Sequence, residues 1–499
     1  MLKQKFILNF ISKVFLQVLQ IAASILVARL AGPTVLGTVA FGTAYVGSFI
    51  FISGLGLGSA HTKLISEGQN ESDCLTTYSI LRSITICIFI IVVTLFFFSQ
   101  KYIFNYQFES KIHQYVIFIT LIAATIQSIS QIATGTFTAK VEIAKATIID
   151  SARMFIFHIL RIIIVLLGYK ALTLALGKII SFIIIIPLIL YLFKDYSFGK
   201  FDKKLAKKYI SIALPTLLIM FSENLMHTLD RVILQFFHNS EQVGYYTAGY
   251  KIGGLLMMLT AGVSPFFPIF SKAYANNKLS YIKDKIYKYE RFIFIFIMPL
   301  IIFIAIYADS IIKLVLGKQY INSITTMSII TVAMFVKIII KPYSNVLTGK
   351  GLFNLTAIIS IIQLILFVIA LVIFIHPSFL GLKATGGAIA FLAANLFAGL
   401  IYVFFAKRNL PILKITKNMH FMLFGIINFI GFYLLYNYFV NKYGINFRIA
   451  FPFIYFIVTY LLLLVLRWIN KEDFDIFKSM VDLRTMKKYI YGELKNKNK

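Results

Sequence analysis

About fourteen apolar runs, with lysine and arginine gathered in every second gap between them, constrain this chain more than any other feature. Each run is roughly 20 residues, the length a helix needs to cross a hydrocarbon core of about 30 Å. The spans are placed at 9–30, 36–57, 77–99, 112–134, 147–167, 170–193, 209–236, 243–270, 290–307, 322–346, 355–375, 382–406, 416–438 and 448–469. The reading is an all-α, polytopic integral membrane protein.

The gaps give the orientation. One set carries Lys3, Lys5 and Lys13; Lys63 and Arg82; Lys140, Lys145 and Arg153; and the run from Lys194 to Lys208. It continues with Lys272 to Arg291, Lys350, Lys407 to Lys417 and the lysine-rich tail after Arg467. The intervening gaps carry little. Because cytoplasmic loops hold the excess of Lys and Arg, both termini are expected in the cytoplasm, with an even number of spans. The long basic gaps after the sixth and twelfth spans divide the chain into a six-helix lobe at 1–193, a linker at 194–208, a second six-helix lobe at 209–406, a helix pair at 407–469 and a basic tail at 470–499. Two lobes with a site between them near the midplane is a common transporter plan.

Composition closes off other classes. With 59% hydrophobic and 14% charged residues, the chain lies far from soluble domains. The net charge of +30 sits in short gaps rather than in one block, which fits topology and anionic headgroups, not nucleic acid. Cys74 and Cys87, the only cysteines, support neither a disulfide framework nor a metal site. No nucleotide loop, His-Glu-x-x-His or nucleophile elbow is present, so neither an enzyme nor a cofactor is expected. Gly54 to Gly58 ends a span rather than following a strand, and reads as a helix-ending or helix-packing element.

Polar residues inside the runs are the candidate site. Charges in hydrocarbon are costly and usually face a cavity. The seventh span carries Glu223, His227, Asp230 and Arg231 at i, i+4 and i+7/i+8, one helical face. These groups either neutralise one another as a structural lock or face a water-filled, substrate-bearing surface. Gln17 and Gln20 share a face of the first span, and Gln127 and Gln131 one of the fourth. Arg161, Lys178, Lys251 and Lys337 are cations away from the loops; with Arg29 and Arg231 they make the embedded charge positive, suited to a phosphate or diphosphate. Acids of the first six spans lie in or near the gaps, and Glu223 and Asp230 are read as the buried ones. A cation-coupled exporter would be expected to bury an acid.

Several segments resemble the polysaccharide transporters of the multidrug/oligosaccharidyl-lipid/polysaccharide (MOP) flippase superfamily. They are Leu26-Val27-Ala28-Arg29-Leu30-Ala31-Gly32-Pro33 with Leu36-Gly37, Gly54 to Ala60, and Leu229-Asp230-Arg231 followed by Val243 to Lys251. Phe267 to Lys272, Leu316 to Tyr320 and Gly386 to Ala390 continue the pattern. The resemblance implies a fourteen-helix, two-lobed flippase in the cell membrane of a bacterium or archaeon. It would carry a lipid-linked oligosaccharide from the cytoplasmic to the outer leaflet by alternating access through a cationic lumen. Arg29, Asp230, Arg231 and Lys251 occupy motif positions; an outer gate or fold element is the rival role for Arg29. Glu223, His227 and Asp230 would tune the lumen charge or carry a coupling proton, with H+ or Na+ as coupling ion and glycosyltransferases or a glycan polymerase as partners. The alternatives are a cation-coupled multidrug or metabolite exporter of the same fold and, more distantly, a non-transporting scaffold.

Overall fold

The computed structural model describes residues 2–256, 266–414 and 418–469. The basic tail at 470–499, residues 257–265 of the eighth run and Lys417 lie outside the described residues, as do the side chains of Lys3, Lys5 and Lys13. Every described element is helical, and ten helices are long and apolar enough to cross a membrane by length and composition. The chain divides into two compact units, 1–247 with 371–384, and 248–370 with 385–499. That division falls within the eighth run.

In the first unit the first two runs share one element, α1 (Leu2–Gly47), interrupted at Gly32 with φ 82° and ψ 172°. Glycine adopts positive φ without a Cβ penalty. Pro33, with no N–H to lose and φ already near the helical value, restarts the helix. The second run continues through α2 (Ile50–Gly54) and α3 (Leu57–Ser66). Between them Leu55 (φ 41°) and Gly56 (φ 77°) are left-handed, so Gly54 to Gly58 does end a helix. The third to sixth runs are α4 (Glu71–Tyr102), α5 (Lys111–Ala139), α6 (Ile143–Leu166) and α7 (Ala171–Phe193).

Asn70 caps α4, its Oδ1 accepting from the N–H groups of Ser72 at 3.0 Å and Asp73 at 3.2 Å. The basic segment after α7 is fastened to this same turn. Gly199 N–H donates to the Ser72 carbonyl at 3.1 Å, Lys200 N–H to Asp73 Oδ1 at 2.7 Å, and Thr76 Oγ1 to the Gly199 carbonyl at 3.1 Å. Asp202 then caps the next helix, accepting from Lys204 N–H at 2.7 Å.

The seventh run is not one helix. α8 (Lys203–Met226) ends two residues before α9 (Leu229–Phe237), and α10 (Ser240–Gly253) follows. The cause is side-chain bonding that competes with the helical ladder. Thr228 Oγ1 bonds back to the Asn224 carbonyl at 3.0 Å and accepts from Ser48 Oγ at 3.0 Å, while Asn224 Nδ2 donates to the Gly47 carbonyl at 2.8 Å. The single polar face expected over 223–231 is therefore divided. α1 and α10 cross with backbones in contact: a Cβ on Gly37 would lie 1.7 Å from the Ser240 oxygen, and one on Gly244 2.0 Å from the Pro33 oxygen.

In the second unit α11 (Phe266–Ala275) leads to α12 (Leu279–Phe292), a π turn at Ile293–Ile297 and α13 (Met298–Ile306). Pro299, in the first turn of α13, lacks the N–H that would continue a regular ladder, and the π turn absorbs the mismatch. The ninth run thus starts at 279, eleven residues before its expected 290, because Lys283, Asp284, Lys285 and Lys288 lie on the helix rather than in a loop. α14 (Ala308–Val315), α15 (Ile324–Gly349), α16 (Phe353–Ile375), α17 (Lys383–Asn409), α18 (Met419–Tyr443) and α19 (Ile445–Val465) complete the chain. Lipid is as apolar as leucine, so these helices associate by close packing and hydrogen bonds rather than by water exclusion. Phe294, Phe421, Phe451 and Tyr455 build such a core. Tyr455 donates to the Pro299 carbonyl at 2.9 Å, a hydrogen bond that ties α19 to α13.

Gly37→Ala is expected to force α1 from α10 and cost about 3 kcal/mol or more. Gly58→Ala, whose Cβ meets nothing within 4 Å, should be neutral. Thermal midpoints and monodisperse yield of the two variants in detergent check the contrast; equal behaviour would refute the contact.

Candidate functional site

A recess of about 510 Å³ lies in the first unit, walled by α2 to α6 and α8. Arg82 of α4 lines it although its residue is only 4% exposed. It lies about 16 Å along α4 from Glu71, at 1.5 Å per residue. Its Nη2 donates to Gln131 Oε1, and its Nε has no hydrogen-bond partner among the described residues. Gly54 makes the space, since a Cβ there would lie 3.0 Å from Arg82 Nη1. Opposite are Asn224 of α8 and Asp150 of α6, with hydroxyls from Ser59, Thr62 and Thr134. Tyr78 forms an aromatic wall. Its ring stacks on His61 at 4.1 Å between centroids, and His61 bonds Tyr209 Oη at 2.7 Å and Thr136 Oγ1 at 3.1 Å. This stack ties α3, α4, α5 and α8 together, so the recess is held by packed aromatic rings rather than by loops.

Arg82 is the residue that sequence reasoning missed. Counted with Lys63 as a gap cation although it falls inside the expected 77–99 span, it is buried on α4, eleven residues after the helix begins at Glu71. The available signal was its register: Tyr78, Arg82 and Thr85 share one helical face, and all three are buried. Asp150, expected in or near a gap, also faces the recess.

The motif pair on α9 forms a lock. Asp230 is 0% exposed; its Oδ2 accepts from Tyr246 Oη at 2.6 Å and its Oδ1 from Arg231 Nη1 at 3.1 Å. Arg231 also donates to the His227 carbonyl at 2.7 Å and lies over the Tyr246 ring at 5.5 Å. Glu223 and His227 are exposed, for the helix break turns them from Asp230. The buried carboxylate that was not foreseen is Glu290, 6% exposed, which accepts from Tyr343 Oη and, at 2.7 Å, from Asn418 Nδ2. It is buried because α12 runs on into the span.

The remaining candidates are dispersed. Arg161 on α6 lies over the Phe157 ring at 5.6 Å, and Lys178 is half-buried on α7. Neither forms an ion pair among the described residues. Arg153, over the Phe182 ring at 4.7 Å, is within electrostatic reach of both Lys178 and Asp150. In the second unit Lys337 lies over Phe391 at 5.5 Å, the ring that Tyr250 meets edge-on at 5.8 Å. Lys251 is exposed on α10. Arg29 is exposed, three residues before the Gly32 break, while Gln17, Gln20 and Gln127 are half-buried. Of the predicted residues, only Gln131 lines the recess.

A second, smaller cavity of about 330 Å³ lies beside the Pro33 turn, lined by Thr34, Thr38, Glu109, His113 and Lys170. Glu109 Oε2 accepts from Ser240 N–H at 2.8 Å, Ser240 Oγ at 2.6 Å and Gln235 Nε2 at 2.8 Å, with His113 Nε2 3.6 Å away. Burial pushes this carboxyl up, but the three hydrogen bonds and the His113 charge together hold it below the ordinary carboxylate range.

A family model described as "Polysaccharide biosynthesis protein" matches residues 26–325. No curated protein sequence matches the chain. Among solved structures, "Lipid II flippase MurJ, inward closed conformation" aligns with a TM-score of 0.69 and 19% identity, covering 92% of this chain and 100% of that one. An inward-facing multidrug resistance MATE family transporter of the MOP superfamily gives 0.66 and 18%, covering 79% and 95%. A MOP superfamily transporter from Pyrococcus furiosus, whose description speaks of a binding pocket of reversed polarity, gives 0.55 and 18%, covering 82% and 94%. The shared fold is that of MOP transporters.

Asp230→Ala strands the Arg231 charge, and a loss of about 3–5 kcal/mol is expected; a sharp fall in folded yield checks it, and an unchanged midpoint would sink the lock. The lowered Glu109 carboxyl contributes stability that is present above its unfolded value and is lost as pH falls through the folded one. Acidification below about 4.5 should therefore lower the thermal midpoint of the wild type, and Glu109→Gln should flatten that part of the profile.

Proposed function

The chain belongs to the polysaccharide biosynthesis protein family, and we propose that it is a flippase moving a lipid-linked oligosaccharide, on a polyprenyl phosphate or diphosphate, from the cytoplasmic to the outer leaflet. The carrying observation is that Arg161 and Lys178 are cations set in apolar helices with no carboxylate partner among the described residues. A cation left without an acid suits a mobile anion that arrives and leaves. Fold likeness to a lipid II flippase agrees with such cargo, as does the family's description. On this reading the protein has fourteen spans with both termini in the cytoplasm, which the alternation of basic gaps supports. Alternating access moves the sugar and phosphate head through the cationic interior while the lipid tail stays in the bilayer. Arg231 is held by Asp230 in a structural role.

The cation-coupled exporter remains the second reading, favoured by Asp150 at the recess and by the MATE fold likeness.

Proteoliposomes loaded with a fluorescent polyprenyl-diphosphate glycan separate the two. Wild-type protein should expose the glycan to an external quencher, and Arg161→Ala with Lys178→Ala should slow this at least tenfold at equal folded yield. Proton-driven efflux of organic cations, with no glycan exposure, would instead establish the exporter.

A further inference from the structure

The first-unit recess has a chemistry that the phosphate-binding cations do not explain. Its planar polar groups are Arg82, Gln131, Asn224 and Asp150. Formal charge among these four cancels: one guanidinium against one carboxylate. A diphosphate, which calls for several cations or a metal, gains little from such a lining. A ring bearing adjacent hydroxyls gains much, because a guanidinium, a carboxylate and two amides offer donors and acceptors in fixed planes. Tyr78, its ring stacked on His61, borders the recess with an aromatic side chain. The volume of about 510 Å³ falls within the range of small-ligand pockets.

Two further observations point to a ligand. Arg82 is more than nine-tenths buried and still has an unpartnered Nε; a buried donor left unmade costs about 1–3 kcal/mol, which a bound acceptor would recover. Space is also kept open on the α3 side, where Gly58 faces nothing within 4 Å. On the orientation given by the basic gaps, the recess opens in the half of the first unit nearer the cytoplasm, since it uses the start of α4 and the end of α5.

We infer that this recess is a sugar-recognition subsite, taking one uncharged hexose or N-acetylhexosamine ring through Arg82, Gln131, Asn224 and Asp150. It rests on the flippase reading for the origin of that sugar, as part of the cargo's head, but not for its chemistry. The subsite selects which glycan is carried, while cations elsewhere hold the phosphate.

The test is equilibrium binding to purified full-length protein in detergent, by calorimetry and thermal shift, with a panel of methyl hexosides and N-acetylhexosaminides and with inorganic diphosphate as the anion arm. At least one glycoside should bind the wild type and raise its midpoint. Gly58→Leu should keep the wild-type midpoint in the absence of sugar yet weaken glycoside binding at least tenfold by filling the recess. Arg82→Gln should weaken it similarly, and Arg161→Ala should leave it unchanged. Binding of diphosphate alone, unaltered binding in Gly58→Leu, or no glycoside binding to the wild type would each overturn the proposal. Flipping that proceeds normally in Gly58→Leu would refute the subsite and leave the flippase; glycoside binding without any flipping would refute the flippase and leave the subsite.

Discussion

Inside a bilayer, a backbone N–H or C=O that leaves its helical partner has no water to turn to. That constraint makes every described element helical and gives each break within a run a special standing. The Gly32 break is sealed by the close approach of Gly37 and Gly244. The break after Met226 is sealed by Thr228 and Asn224, which reach across to α1. At Leu55 and Gly56 the helix stops beside the recess, where polar side chains gather around the freed backbone. Breaks and polar chemistry therefore coincide, because each needs the other's hydrogen-bonding capacity.

The same medium sorts the cations by their company. Arg231 has a carboxylate and a tyrosine, and so is part of the scaffold. Arg161 rests on an aromatic face, which steadies a charge without cancelling it. Arg82 has an amide and an open N–H. These are three levels of neutralisation, and they rank the residues by how much positive character is left for a visitor.

The helical class and the presence of many membrane-spanning runs were legible in the sequence because each depends on local hydropathy. The lock at Asp230 was foreseen only as one of two roles, and with other partners, because Tyr246 lies sixteen residues on, on the next helix. Arg82 and Glu290 were missed for one common reason. A charge near the end of an apolar run looks like loop, and hydropathy cannot tell a helix that stops from one that carries its charge inward. Glu223, read as buried, is instead exposed, because hydropathy does not show that the helix breaks three residues on. Register within a helix is local; where a helix stops is decided by what packs against it.

The basic linker expected at 194–208 reads as a tether separating two lobes; in the structure α8 starts at Lys203, which leaves nine residues after α7. With Gly199 and Lys200 hydrogen-bonded to the first turn of α4, and a Cβ at Gly199 only 2.3 Å from Asp73 Oδ1, the segment is instead a clasp. Its length is fixed by what it grips, so extra residues there would loosen α4 and, with it, the guanidinium that α4 carries inward. A stretch of chain that looks like slack is, in mechanical terms, the fixture that holds the recess at its gauge.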